Sequence, residues 1–165
     1  RPSHPELLGD LAVQFVQQGW SVKKLIRAIA LSKTYRLSSA RGEQREDPEN
    51  RLLAHMNHRR LDAEALRDTM LSVSGSLNLE MGGATFPANL KTDVDFRFEA
   101  PRRSVYVPVF RSSLPELFEV FDFANTSMVT GRRNLSTVAP QALFMMKHPF
   151  VRTQAKLAAE RLLGD

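Results

Sequence analysis

The hydrophobic period of this chain changes only once, and that change limits the folds open to it. From Arg103 to Phe110, Val105, Val107 and Val109 fall on one side and Tyr106 and Phe110 on the other, the two-residue period of a strand. Pro108 has no N–H to give a ladder, so this segment is an edge strand or simply extended. Before and after it, apolar residues recur at helical spacing. Leu7, Leu8, Leu11, Phe15 and Val16 form one stripe, and Val22, Leu25, Ile26, Ile29 and Ala30 form the next. Ala63, Leu66, Met70 and Val73 mark a third helical face, and Leu117, Phe118, Val120 and Phe121 a short fourth. Leu143, Phe144 and Met146 mark a fifth, followed by Phe150, Val151, Leu157, Ala158 and Leu162. The pattern predicts a mainly α fold, a compact array of about six to seven helices with one short edge strand or extended segment.

Boundary signals divide these stripes. Ser3-His4-Pro5-Glu6 and Ser113-Leu114-Pro115-Glu116 read as capping boxes, in which a hydroxyl accepts from an early helix amide and a glutamate reaches back. Ser21, Asp62 and Thr137 are further cap candidates, Gly19 and Gly75 suit helix ends, and Trp20 is expected in the corner between the first two helices. Asp47-Pro48 reads as a cap and first-turn proline opening a helix with Leu52, Leu53 and Met56. Residues 38–47 are polar and read as a loop. Residues 77–101 lose all periodicity around Gly82-Gly83 and Pro87, as in a crossing loop or a flexible insert.

The 165 residues suffice for one domain with a real core, 1–165, and the start at Arg1 reads as a fragment of a larger multidomain protein. A net charge of +5 admits acidic partners such as nucleic acid or uronic and sulfated glycans. Acids alternate with arginines through 41–68, however, as on a mixed solvated surface, and no nucleic-acid motif is present, so nucleic acid is the weakest partner class. The absence of cysteine excludes disulfides, a covalent haem motif and thiolate metal sites. No apolar run reaches the roughly 18 residues of a membrane span.

The candidate sites are mostly cationic. Arg132, Arg133 and Asn134 follow Gly131 just before a helix start, where two guanidiniums beside free amides can grip a sulfate, phosphate or carboxylate. The plainer role is pairing with Glu116, Glu119 or Asp122. Arg102, Arg103 and Arg111 bracket the strand-like segment, and with Tyr106 and Phe110 they can form a basic aromatic surface for sugars or single strands. They can equally cover a hydrophobic edge. His55 and His58 precede Asp62 at helical spacing, but no third histidine is near and Asp62 suits a cap, so no metal site is assigned. His4 and His148 adjoin prolines at helix starts, where capping or surface roles suffice. Glu116, Glu119 and Asp122 do not by themselves make a glycosidase pair, no serine lies in a Gly-x-Ser-x-Gly elbow, and Met81-Gly82-Gly83 lacks the partners of a phosphate loop. Met145-Met146 reads as core. No cofactor is expected within this segment.

Four blocks resemble a planctomycete-specific family, in order along nearly the whole chain: HPELLGDLAVQFVQQGWSVKKLIRAI, NRLLAHMNHRRLDAEALRDTMLSVSGSLN, RRSVYVPVFRSSLPELFEVFDFA and TGRRNLSTVAPQALFMMKHPFVRTQA. The chain is similar to the planctomycete cytochrome-associated "PSD-one" domain, a domain of unknown function. The resemblance implies a large exported protein with an extracytoplasmic address. It also implies an upstream cytochrome-c-like module that would carry any haem, with this domain near the C-terminus. It supplies no reaction and no catalytic residues. Where the family often has an Asp- or Pro-containing stretch after the Phe-Asp-Phe block, this chain has Ala124-Asn125-Thr126-Ser127. Two readings follow: an accessory or interaction module contacting neighbouring domains or an acidic polysaccharide, or part of a polysaccharide-processing or redox enzyme whose site an adjacent domain completes.

Overall fold

The computed structural model describes residues 2–40, 47–92, 96 and 98–164. The chain forms two compact units, Arg1–Arg59 and Arg60–Asp165.

The first unit is built on a helical hairpin, α1 (Pro5–Gln17) and α2 (Val22–Leu31). Gly19 (φ 74°) and Trp20 (φ 58°) both turn left-handed to reverse the chain. Ser21 then caps α2, its Oγ accepting from the Lys24 amide at 3.4 Å. Leu11, Phe15 and Leu25 are half-buried, but neither helix has a buried residue. Trp20 is not enclosed in the corner. It meets Phe15 edge-on at 5.4 Å and stays 67% exposed.

The expected helix after Asp47 is replaced by turns. Asp47 accepts from the amides of Arg51 (2.9 Å) and Leu52 (2.7 Å), and Asn50 and Leu53 adopt φ of 50° and 55°. Such side-chain capture of amides competes with a helix, and left-handed residues end it. Buried Asn50 locks the turn, donating to the His55 carbonyl at 2.7 Å and to Asn57 Oδ1 at 3.0 Å.

The second unit holds α3 (Ala63–Val73), a 3-10 turn (Ser104–Tyr106), α4 (Glu116–Val120), α5 (Ala139–Lys147) and α6 (Pro149–Gly164). α3 packs against the 3-10 turn, α4 and α6, and α5 packs against α4 and α6. Ala63, Val107, Leu117, Phe118 and Phe144 form the core. Phe123 stacks on Phe118 at 4.8 Å and Phe121 meets Phe144 edge-on at 5.8 Å. Leu143 and Met146 face out at 52% and 75% exposure, and Met145 is 39% exposed, so the methionine pair is not core.

The segment expected as an edge strand or an extended stretch joins no sheet among the described residues. Ser104–Tyr106 makes one 3-10 turn, and the only bridge is a single parallel pair, Asn78–Arg102. The cause is Asp68, whose Oδ1 accepts from both the amide and the hydroxyl of Ser104 at 2.7 Å and pins the turn. The two-residue pattern survives in another form, because Val105, Val107 and Val109 all line one groove.

Segment 77–101 is an ordered crossing loop over its described part. Arg102 donates to the carbonyls of Glu80 (3.3 Å), Ala84 (3.5 Å) and Gly82, and Phe110 packs against Phe86 and Phe96. Residues 93–95 and 97, like 41–46 of the polar loop, lie outside the described residues. The hydroxyl caps also shift. α1, α4 and α5 are preceded by His4, Pro115 and Val138, not by Ser3, Ser113 and Thr137. A proline stands at or beside each helix start, and the cap falls one or two residues past the hydroxyl. At α5, Gln141 Oε1 takes over by accepting from the Val138 amide at 3.3 Å.

Candidate functional site

The chemistry of the second unit is organised on α3. Its buried face is Ala63, Arg67 and Leu71, rotated from the expected Ala63, Leu66, Met70 and Val73, and Val73 is 58% exposed. Arg67 takes a core position because the loop backbone supplies acceptors. Its guanidinium donates to the carbonyls of Arg102 (2.7 Å) and Ala100 (2.9 Å) and to Ser104 Oγ (3.4 Å). It lies between the rings of Phe98 and Phe150, 5.7 and 5.9 Å from their centroids. Burial lowers its pKa, and Asp68, 3.8 Å away, partly offsets that.

One turn apart on α3, Glu64 and Asp68 line a half-open groove of about 450 Å3. Its apolar lining is Ala65, Val105, Val107, Val109, Phe118 and Phe123, with Ser104 beside the carboxylates. Arg133 grips Glu64 with two hydrogen bonds of 2.7 and 2.8 Å and lies 4.8 Å over the Phe123 ring. Burial alone would raise the Glu64 pKa. The Arg133 hydrogen bonds, with Glu64's own amide and the Arg133 charge, outweigh it and bring it below the ordinary range. Arg133 in turn is raised by its hydrogen bonds to Glu64.

The sequence-derived arginines thus separate into two groups. Arg133 pairs with Glu64, not with the expected Glu116, Glu119 or Asp122, and Arg102 clamps the crossing loop with its guanidinium 4.2 Å over Tyr106. Arg103, Arg111, Arg132 and Asn134 are exposed. Arg102 and Arg133 therefore have separate partners.

A second polar cluster ties the α4–α5 connection. Asp122, at φ 59°, accepts from the Ser136 amide at 2.7 Å and from its hydroxyl at 2.8 Å. Buried Gln141 donates to Ser136 Oγ (3.2 Å) and the Val120 carbonyl (3.0 Å), while Arg60 donates to Gln141 Oε1 (2.8 Å) and the Ser136 carbonyl. The Ser136 amide chiefly holds the Asp122 pKa low; burial opposes it, while the Ser136 hydroxyl, Arg60 and Gln141 reinforce it. The serine meets a carboxylate without a histidine between them, an anchor geometry rather than a nucleophile's. His148 caps α6, Nδ1 accepting from the Phe150 amide at 3.2 Å while Nε2 lies 3.4 Å from Glu116. Among the described residues, no three His, Asp or Glu side chains are placed to share a metal ion.

In the first unit the notable surface is apolar. Trp20, Val22, Ile26 and Leu31 are each about 60% exposed or more, and Leu8, Val13 and Val16 are 50–57% exposed. On the side of α2 away from Val22 and Ile26 lie Lys24 and Arg27, with Leu31 between them and Lys23 at the flank, and no acidic residue occurs from Ser21 to Ala40.

Sequence reasoning missed Glu64, Arg67, Asp68 and the Asp122–Ser136–Gln141 cluster. The available signal was a Glu-x-x-Arg-Asp spacing within an apolar helical stripe, which puts charge on the side facing the core.

The sequence pattern of one family, PSD1, described as "Protein of unknown function (DUF1553)", matches residues 1–165, and the chain belongs to that family. No curated protein and no solved structure matches it.

Proposed function

We propose that this PSD1-family chain is a non-catalytic interaction module of a larger exported protein, docking a neighbouring protein domain through the α1–α2 hairpin. The observation that carries this is an amphipathic hairpin whose apolar residues are left in water, Trp20 at 67%, Val22 at 59% and Ile26 at 60% exposure. Full burial of such an aliphatic side chain is worth about 1.5–3 kcal/mol, and Val22 and Ile26 realise less than half of their burial. Several such side chains left in water on one hairpin suit a surface that another apolar face covers. Lys23, Lys24 and Arg27 behind the stripe suit a partner whose apolar face has an acidic rim. A planctomycete origin and an upstream cytochrome-c-like module, which would carry any haem, belong to the same reading.

The groove carboxylates favour this over a catalytic role, since Glu64 is held by Arg133 and Asp68 by Ser104. The test is calorimetric titration of this domain with the neighbouring domains of its parent chain. Val22→Asp with Ile26→Asp is expected to abolish binding while leaving the far-UV circular dichroism unchanged. Binding that survives the double substitution would remove the hairpin from the interface.

A second reading rests on exposed Arg103, Arg111 and Arg132, which suit an acidic polysaccharide. Replacing all three with alanine is expected to abolish a thermal shift caused by uronic glycans. A shift that persists in the triple variant would contradict that reading.

A further inference from the structure

We propose that a single amphipathic helix of the neighbouring domain lies on the α1–α2 face. Its edge over α1 carries lysine or arginine, and its edge over α2 carries aspartate or glutamate. This rests on the interaction-module reading and deepens it by naming the chemistry of the partner. The two helices of the hairpin carry opposite charge without mixing. Glu6 and Asp10 are the only charged residues of α1, and Lys23, Lys24 and Arg27 the only ones of α2. All five are exposed, and among the described residues none of them forms an ion pair. Asp10 accepts from Gln14 Nε2 at 2.7 Å and Lys24 Nζ donates to the Gln18 carbonyl at 3.5 Å, so both bond only to neutral groups. The hairpin therefore leaves its charges to be complemented by a partner.

The helical period sets these charges along the edges of one apolar face. Half-buried Leu11 and Phe15 on α1, and Leu25 on α2, mark the inward side of each packed helix. At about 100° per residue, Leu8, Ala12 and Val16 follow that side on α1, and Val22 and Ile26 follow it on α2, in the same rotational sense. In antiparallel helices a turn in the same sense leads to one side of the pair. Leu8, Val16, Val22 and Ile26 are 57%, 50%, 59% and 60% exposed there. Further round come Glu6 and Asp10 on α1 and Lys23 and Arg27 on α2, each pair one turn apart. The face is thus apolar in the middle, acidic along its α1 edge and basic along its α2 edge. Neither helix has a buried residue, and an amphipathic helix laid along the pair gives both a buried side. A uniformly acidic or uniformly basic helix would set like charges against one edge, which disfavours it.

The test is calorimetric titration of the whole chain with three helical peptides of about 18 residues that share one leucine stripe. The first has lysine along one flank and glutamate along the other, the second glutamate along both, and the third lysine along both. At physiological salt the mixed peptide is expected to bind about fivefold more tightly than either uniform one. Glu6→Gln with Asp10→Asn is expected to erase its advantage over the all-glutamate peptide. Lys23→Gln with Arg27→Gln is expected to erase its advantage over the all-lysine peptide. All four positions are exposed, so both variants are expected to keep the circular dichroism of the unsubstituted chain. Equal affinity for the three peptides, preference for a uniform one, a mixed-peptide advantage that survives either pair of substitutions, or no binding of any peptide would each overturn the assignment. Val22→Asp with Ile26→Asp, titrated with the neighbouring domains, keeps the two claims apart. Loss of domain binding in that variant, with no mixed-peptide preference in the unsubstituted chain, would sink the helix assignment and leave the hairpin reading standing.

Discussion

Arg67 shows at the scale of one residue how this fold is held. A buried guanidinium is tolerated because two carbonyls and a hydroxyl accept from it and two rings flank it. Arg67→Ala leaves those carbonyls without donors and is expected to cost about 3 kcal/mol or more in denaturant unfolding. Arg67→Met is expected to cost less than Arg67→Ala, since it keeps the packing volume. The partly exposed Arg133–Glu64 pair is worth less. Its bidentate geometry supports a coupling of about 1 kcal/mol in a double-mutant cycle of Arg133→Ala and Glu64→Gln. Glu64 and Asp122 both have pKa values lowered by folding. The unfolded chain therefore takes up their protons first as the pH drops. Their contribution is fully present above the ordinary carboxylate range and is lost as the pH falls through the folded-state values. Denaturant midpoints are expected to hold near neutrality and fall in acid, with a shallower acid limb in Asp122→Asn. An unchanged limb in that variant would remove Asp122 from the account.

At the scale of the element, the helices divide into a packed set and an unpacked pair. Phe118→Ala, at the centre of the second unit, is expected to cost about 3–5 kcal/mol. Ile26→Ser on α2 is expected to change stability by no more than about 0.5 kcal/mol, because its side chain is already in water. Equal costs for the two would mean that α2 is covered within the chain. Helix existence was legible from apolar spacing, which located α1, α2, α3, α5 and α6 and the short α4. Burial was less legible. Spacing marks an amphipathic face without saying what covers it, so the α2 stripe looked like core. Hydrophobicity also leaves arginine out of a core face, so Arg67 was invisible and α3 was read one step round its axis. Hydroxyls do not mark the helix starts, which fall one or two residues further on, at or beside prolines 5, 115 and 140. The valine alternation at 105–109 was real, but Asp68, distant in sequence, decided between strand and 3-10 turn. The candidate site was least legible, since the pairs Glu64–Arg133 and Asp122–Ser136 join segments that sequence alone does not bring together.

At the scale of the whole molecule, two compact units share one chain, and among the described residues only the second has a buried apolar cluster. Trp20 is the only tryptophan and lies in the first unit, so its fluorescence reports on the hairpin. In denaturant its transition is expected to precede the loss of far-UV circular dichroism, because the hairpin buries little. Coincident transitions would mean one cooperative domain. The account as a whole rests on the hairpin's apolar face being a surface for another protein domain. Acrylamide quenching of Trp20 measures this most directly, first in this segment and then in the proposed parent, with any other tryptophan replaced by phenylalanine. The account predicts water-like emission with open quenching in the segment, and blue-shifted, protected emission in the parent. Protection already present in the monomeric segment, or water-like emission that persists in the parent, would contradict it.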